Sequence, residues 1–519
     1  MSRNKERQLA SQEARALALE AQLQRVQEQN AALLREREEL LAAHRLIRLE
    51  LDRLKAELFG SKSEKLQIED NQLPLLDDVF ENPEPAATVD VVVPPEIERE
   101  PRKPVRRPLP EHLEVVEERI EPKEVLCPQC GSERCVIREE CSERLDLIPA
   151  RLIRRRTIRP VLACSRCKEV APVQAPMPPQ VIEKGLCGPG LLGHVICAKY
   201  LEHRPLYRVQ QELERYGVNI SRATLCGWVE AAAVALQPLW RGIQAGLMAG
   251  DYLQVDETPV RVMDPEIQGK TATGYLWVYG RPGGDVLFDF RSGRGREGPE
   301  AMLSGFSGVL QSDAYGVYEA LVRSRPGLSR IGCLAHARRK FHEALGDDPE
   351  AARWFLLQIG RLYWIERQGR GEEPASRLAR RKLEAPALWA RLRTRLEELD
   401  PARAGSRTLA QGPLGKAVRY MLSEWDALQG YLEDGRLEID NNLIENAIRP
   451  SCVGKRNWLF IGHPEAGWRS AVIYTLVVSA RRHGHDPVAY LGDVLRRIPT
   501  ATNHTVHDLL PANWKPQPV

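Results

Sequence analysis

Between Asp251 and Met263 the chain reads DYLQVDETPVRVM. The helical spacing of apolar residues that precedes it stops here. Aromatic and β-branched residues take over, which is the pattern of a strand. TGYLWVYGR (Thr273–Arg281) and DVLFDFR (Asp285–Arg291) repeat that pattern after turns containing Gly and Pro. A short helix from about Pro299 to Ser304 is expected next. GVLQSDAYG (Gly308–Gly316) then reads as a short strand ending in a carboxylate, followed by a helix from Tyr315. RIGCLAH (Arg330–His336) reads as another strand end. The order βββαβ, then αβα, predicts a mixed α/β core over residues 249–342. Adjacent side chains on a strand point to opposite faces. Asp256 and Glu257 therefore cannot both enter one site; one enters, and the other supports it or meets solvent. Asp313 ends its strand where a sheet opens into loops, a position suited to a ligand site. It suits capping of the following helix equally well.

A second informative stretch is LEIDNNLIENAIRPSCVGKRNWLF, Leu437–Phe460. Asn442, Glu445, Asn446 and Arg449 fall on one helical face by their spacing. Leu443, Ile444 and Ala447 can then turn toward protein. Asp440 is the expected N-cap, and Pro450 the expected end of this helix. Glu445 is the one carboxylate on the polar face. Gathering it with two strand acids would set up repulsion and raise carboxyl pKa values. Mg²⁺ relieves such a conflict with oxygen ligands. A pair of such ions about 4 Å apart can stabilise attacking and leaving oxygens in phosphoryl transfer. Arg338, Arg339 and Lys340, and likewise Lys455 and Arg456, suit phosphate contacts; Trp458 is expected to pack in the core. Cys333 and His336 stand three apart, as two candidate ligands or as a buried thiol beside a surface histidine.

Between these stretches, residues 343–435 read as all-helical, an insertion. Phe355, Ile359 and Leu362 form one stripe, Leu388, Leu392, Leu396 and Leu399 a second, and Leu414, Val418, Met421, Trp425 and Leu428 a third. Residues 436–480 return to the core, and 481–519 are expected to form a C-terminal tail.

The 519 residues suggest about three domains. An apolar content of 43% is ample for buried cores, and a net charge of +3 does not itself announce nucleic acid. Local clusters do more: RLIRRRTIR (Arg151–Arg159) holds Arg154, Arg155 and Arg156 with no acid. Such a cluster can neutralise phosphates, or be a solvated face. Leu19, Val26, Leu33, Leu40, Ile47 and Leu54 recur every seven residues. Leu23, Asn30, Arg37, His44, Leu51 and Leu58 form the partner series, predicting a coiled coil over 1–60 and self-association, with a dimer expected. Proline and acid dominate 61–112, a linker. Residues 113–180 carry CPQC and CSRC, with Cys127, Cys130, Cys164 and Cys167 placed to close a zinc tetrahedron. Cys135 and Cys141 compete for a ligand position. Eleven cysteines, four of them so paired, fit a reducing compartment better than a disulfide framework. The polar N-terminus does not read as a signal peptide, and no apolar run is long enough to span a bilayer; a cytoplasmic location is expected. Residues 181–248 look helical. LYRVQQELERYGVNISRATLCGWV (Leu206–Val229) reads as helix-turn-helix, or as a plain hairpin. Gly217 would end the first helix and Ser221 cap the second, which would carry Arg222 and Thr224 toward a groove.

Taken together, LFGSKSEK (Leu58–Lys65), the double CxxC, RPLYRVQQELERYGVNISRATLCGWV, DETPV, SDAYGVY, CLAHARRKF, DNNLIENAIRP and GKRNWLFIG resemble transposases of the insertion-sequence-66 family over nearly the whole chain. QVDETP stands where a His-Ala would precede the acid, CLAH where Trp is commoner than Leu, and GKRNW where GRKNW is usual. The resemblance implies a multidomain α/β protein with a ribonuclease-H-like mixed-sheet core and an all-helical insertion. A coiled coil, a zinc-ribbon-like module and a helical DNA-binding region would precede that core. It implies Asp256, Asp313 and Glu445 as a catalytic triad holding two Mg²⁺ or Mn²⁺ ions, with structural zinc elsewhere. It further implies cleavage of element ends at terminal inverted repeats and attack of the 3′-hydroxyl on target DNA. Element-encoded accessory proteins are possible partners. Related enzymes share a Cys-x-x-His feature near Cys333. A zinc-dependent DNA-binding regulator, or a nuclease on the same core, would share many of these features.

Overall fold

The computed structural model describes residues 44, 152–162, 173–183, 185–264 and 271–517. The heptad segment apart from His44, the linker, and Cys127, Cys130, Cys164 and Cys167 lie outside the described residues. Of the described residues, those between 152 and 174 fall in one compact unit and those from 175 to 517 in another. No described helix is long and apolar enough to cross a membrane.

In the first unit β1 (Val161–Leu162) pairs antiparallel with β2 (Val173–Gln174). Arg154, Arg155 and Arg156 precede β1 as exposed chain without regular structure.

The second unit opens with α1 (Pro189–Tyr200), α2 (Leu206–Arg215) and α3 (Arg222–Met248). Proline opens α1 where its missing N–H costs nothing. Gly217 adopts φ +75° to break the chain away from α2, and the Ser221 hydroxyl accepts the Thr224 N–H to start α3. Leu206, Val209 and Leu213 are buried, whereas Tyr216, on the same expected stripe, is exposed.

Five strands form one mixed sheet in the order β5-β4-β3-β6-β7. They are β3 (Tyr252–Met263), β4 (Thr271–Gly280), β5 (Val286–Arg291), β6 (Gly308–Gln311) and β7 (Leu328–Ile331). The first three run antiparallel in sequence, and β6 and β7 add parallel to β3. The crossovers contain α4 (Glu297–Met302) and α5 (Gly316–Ser324). The central strand β3 is buried on both faces over Tyr252, Leu253, Gln254 and Val255 and alternates only from Thr258 onward.

After β7 the chain is helical: α6 (Leu334–Glu343), α7 (Pro349–Gln368), α8 (Pro374–Leu399), α9 (Pro413–Ser423) and α10 (Trp425–Gln429). Their apolar stripes enclose a second core, which Tyr252 and Ile331 of the sheet also join. Within it Arg381 is fully buried and spends all five N–H donors. Nε and Nη2 reach the Glu366 carboxylate at 2.8 and 2.7 Å. The remaining donors reach the Tyr431, Asp434 and Leu437 carbonyls at 2.7–2.8 Å.

That clasp fixes the chain entering α11 (Asn442–Trp458), followed by α12 (Gly467–Arg482) and α13 (Pro487–Arg497). Pro450 does not end α11, which runs through it to Trp458. Proline removes the donor that would reach the carbonyl four residues back, on Asn446. Asn446 is exposed, so that carbonyl can take water instead. Residues 481–519, expected as a tail, contribute Tyr490, Leu491, Val494 and Trp514 to the main core. Helix α12 is buried nearly all round and lies against the edge strand β5. Thr475 Oγ1 accepts the Phe288 N–H at 2.8 Å. Ser479 Oγ accepts the Val286 N–H at 3.0 Å and donates to the Val286 carbonyl at 3.1 Å. Trp240 Nε1 donates to the Phe288 carbonyl at 2.9 Å. Side chains thus take the place of a missing neighbour strand.

Candidate active site

Strand register puts two acids side by side. Gln254 of β3 pairs with Gln311 of parallel β6, and Asp256 and Asp313 each lie two residues further on. The glutamines are buried and bonded to one another, Gln254 Nε2 to Gln311 Oε1 at 2.8 Å. Tyr252 donates to the same Oε1 at 2.5 Å. The free donors of this group reach the carbonyls of Gly332, Glu438 and Asp440 at 2.8–3.1 Å. The approach to α11 is thereby bolted to the strand ends.

Asn441, fully buried, completes the attachment. Its side-chain amide donates to the Val255 carbonyl at 2.9 Å, and its backbone N–H donates to Cys333 Sγ at 3.2 Å. The N-cap of α11 is Asn441 and not Asp440 as expected; Asp440, one residue earlier, takes the Asn442 N–H at 3.0 Å and the Tyr363 hydroxyl at 2.8 Å and so braces the helix start. Glu445 follows in the first turn, on the half-exposed face.

The pleat separates Asp256 from Glu257. Burial pushes the Asp256 carboxyl up to about 8, with the nearby Glu257, Glu445 and Asp313 charges adding to the rise. Glu445 and Asp313 therefore both lie near enough to bear on Asp256. Glu257 takes the Tyr318 hydroxyl at 2.6 Å and Arg294 Nε at 2.8 Å. Arg294 lies 3.9 Å from the centre of the Tyr315 ring, and the Tyr315 N–H donates to Asp313 Oδ1 at 3.0 Å. Asp313 thus does bond the start of the next helix, while its neighbours brace it for the site.

The basic residues divide. Arg339 Nη2 stands 3.7 Å from Glu445 Oε2, and Lys340 lies 4.8 Å from the Tyr420 ring centre. Arg338 is half-buried beside them on α6. Lys455 is engaged within the fold: Nζ donates to Thr258 Oγ1 at 2.9 Å and to the Pro259 carbonyl at 2.8 Å. Arg222, Arg449 and Arg456 are exposed. Thr224 is exposed but shares a hydroxyl bond with Ser221 at 2.9 Å. Trp458 packs half-buried against the main core.

Residues 184–469 match the family described as "Transposase IS66 family". That span covers more than half of the chain. The chain belongs to the IS66 transposase family. Its C-terminal element matches at 475–512, consistent with the packed helix α13. Residues 124–168 match the zinc-finger binding domain of IS66 transposases, and Cys127, Cys130, Cys164 and Cys167 all lie inside that match. Residues 47–117 match a family described as "Transposase C of IS166 homeodomain". Two similar proteins come from Sinorhizobium fredii. "Uncharacterized protein y4jD" is 35% identical over 78% of this chain and 81% of its own. "Uncharacterized protein y4hP" is 31% identical over 90% and 88%. IS66 membership implies DNA as the partner and a divalent metal in the chemistry.

Sequence reasoning missed Asn441, Gln254, Gln311, Tyr318 and Arg294. One signal was available: Gln-x-Asp occurs at 254–256, within β3, and again at 311–313, where β6 ends. A buried glutamine at matched positions is a pairing signal.

Proposed function

We propose that this IS66 protein cleaves the ends of a mobile DNA element and joins the resulting 3′-hydroxyls to target DNA, using Asp256, Asp313 and Glu445 to bind divalent metal. The observation that carries this reading is the register-matched pair Asp256 and Asp313, with Glu445 held against them by Asn441. The sheet order, three antiparallel strands then two parallel ones, agrees with a ribonuclease-H-like core. The donor set fits Mg²⁺ or Mn²⁺. The carboxylates supply hard oxygen ligands, Asp256 is pushed up by burial first and by the neighbouring acids second, and buried Glu445 Oε1 has no hydrogen-bond partner. When bound, a pair of such ions activates the attacking oxygen and stabilises the leaving one.

The chain's own residues supply the frame. The glutamine pair sets the spacing of the strand acids, Asn441 sets the reach of Glu445, and Glu257 with Arg294 steadies the Asp313 loop. Arg449 and Arg456, seven apart on α11, share an exposed face suited to a phosphate backbone. Arg338 and Arg222 are further candidates for phosphate contacts in the same unit, and Arg154 to Arg156 are candidates of their own in the smaller one. Four cysteine thiolates would hold structural zinc. The heptads would pair two chains, and element-encoded proteins would assist assembly in the cytoplasm.

The test is a labelled terminal-repeat duplex with Mg²⁺ and target DNA. Asp313→Asn should abolish cleavage and joining while end binding stays near normal. Cleavage without joining in the wild type would favour a nuclease; binding with neither would favour a regulator.

A further inference from the structure

Cys333 and His336 take no part in the reading above, yet they sit beside it. Cys333 begins α6 and is fully buried, and His336 follows one turn later on the same side. His336 Nε2 lies 3.9 Å from Glu445 Oε1. One ligand atom each from Cys333, His336 and Glu445 lies within 4.8 Å of the other two. Around this point three buried polar atoms lack a hydrogen-bond partner: His336 Nδ1, Glu445 Oε1 and Asn441 Oδ1. Leaving such atoms unsatisfied forfeits the solvation they had in water. A cation accepting nitrogen, sulfur and oxygen ligands would remove part of that cost.

The ligand chemistry selects the ion. A thiolate and an imidazole favour zinc-class metals over Mg²⁺, which prefers an all-oxygen shell. Burial pushes the Cys333 thiol up to about 12, so an arriving ion must displace the thiol proton, and the Asn441 N–H donated to Sγ works with the ion in that step. Three protein ligands leave a fourth position open. We propose that Cys333, His336 and Glu445 form a site for a zinc-class transition-metal ion, separate from the cysteine pairs and sharing Glu445 with the Asp256–Asp313 site.

One consequence rests on the proposed cleavage activity. Glu445 cannot serve both ligand sets at full strength. Zinc bound to Cys333 and His336 draws Glu445 away from the strand acids and inhibits Mg²⁺-supported cleavage.

The site itself is tested without activity. Full-length Asp256→Asn/Asp313→Asn protein is titrated with Co²⁺ alone, following thiolate-to-cobalt absorption and the number of ions bound. The same titration is made with Cys333→Ala added and, separately, with His336→Gln added. The cysteine pairs contribute equally to all three, so the comparison isolates this site. We expect each added substitution to remove one equivalent of cobalt or weaken it at least tenfold. Unchanged stoichiometry and affinity in the folded His336→Gln protein, whose side chain is partly exposed, would overturn the site. The inhibition arm measures wild-type end cleavage at fixed Mg²⁺ with rising Zn²⁺. Each rate is expressed relative to the same variant without Zn²⁺. We expect at least tenfold inhibition, relieved by His336→Gln; inhibition that ignores this substitution would refute the shared-ligand link. A wild type without any cleavage would instead sink the proposed function, and the cobalt titration would still decide the site.

Discussion

In Asp256 and Glu257 the pleat places two adjacent carboxylates in different surroundings. Glu257 is met by a guanidinium and a phenol, whereas Asp256 meets other acids. An ordinary unfolded Asp ionises near pH 4, so the metal-free fold holds an extra proton on Asp256 up to about pH 8. A folded pKa raised above the unfolded one favours folding at low pH, and that contribution is lost as pH rises through the folded value. Without added magnesium, the wild type should lose about 2 kcal/mol relative to Asp256→Asn between pH 6 and 9, read by urea unfolding. Equal pH slopes would refute the burial of this carboxyl. Strand and helix spacing limited where each carboxylate could point, but alternation fixes opposite faces without saying which face is which, so the choice of Asp256 over Glu257 came from the family resemblance and not from spacing. Asn441 was hidden for a related reason: its value lies in contacts with Val255 and Cys333, far away in sequence.

Elements were mostly readable from periodicity. β3 was expected from 251 and begins at Tyr252; the helix expected at Pro299–Ser304 spans Glu297–Met302. Pro450 misled because a proline signal assumes that the freed carbonyl has nowhere to go, and on an exposed face it has water. Helix α12 was invisible as a device, since its two hydroxyls look like ordinary tolerated polar residues. Thr475→Val should leave the Phe288 N–H without a partner and cost about 1–3 kcal/mol. Ser479→Ala should cost a similar amount at Val286, both measured by urea unfolding. A change below the error of that measurement would mean water replaces the hydroxyl. Arg381→Leu removes one partner of a buried ion network, leaves Glu366 to Arg377 alone and strands three carbonyls. A loss of about 3–5 kcal/mol is expected, seen as a lowered urea midpoint.

At the scale of the molecule, the described residues divide into two compact units, and the cysteine pairs fall within the span of the smaller one. Chelating zinc from the full chain should therefore abolish binding to element ends. It should leave the main thermal transition, carried by residues 175–517, within about 2 °C of its original position. A collapse of that transition would show that the cysteines support both units. The broad plan was legible because each segment carries its own composition. The reach of the last residues was not, because α13 is short and reads as a tail until Tyr490, Leu491 and Val494 are seen in the main core. The clasp around Arg381 has a further consequence for anyone wishing to shorten this IS66 protein. The five-helix inset looks removable, a loop grown large between β7 and α11. Yet it grips the very carbonyls that lead into the Glu445 helix, so excision would let that helix swing loose, and a miniature version would need a new anchor built before the old one is cut away.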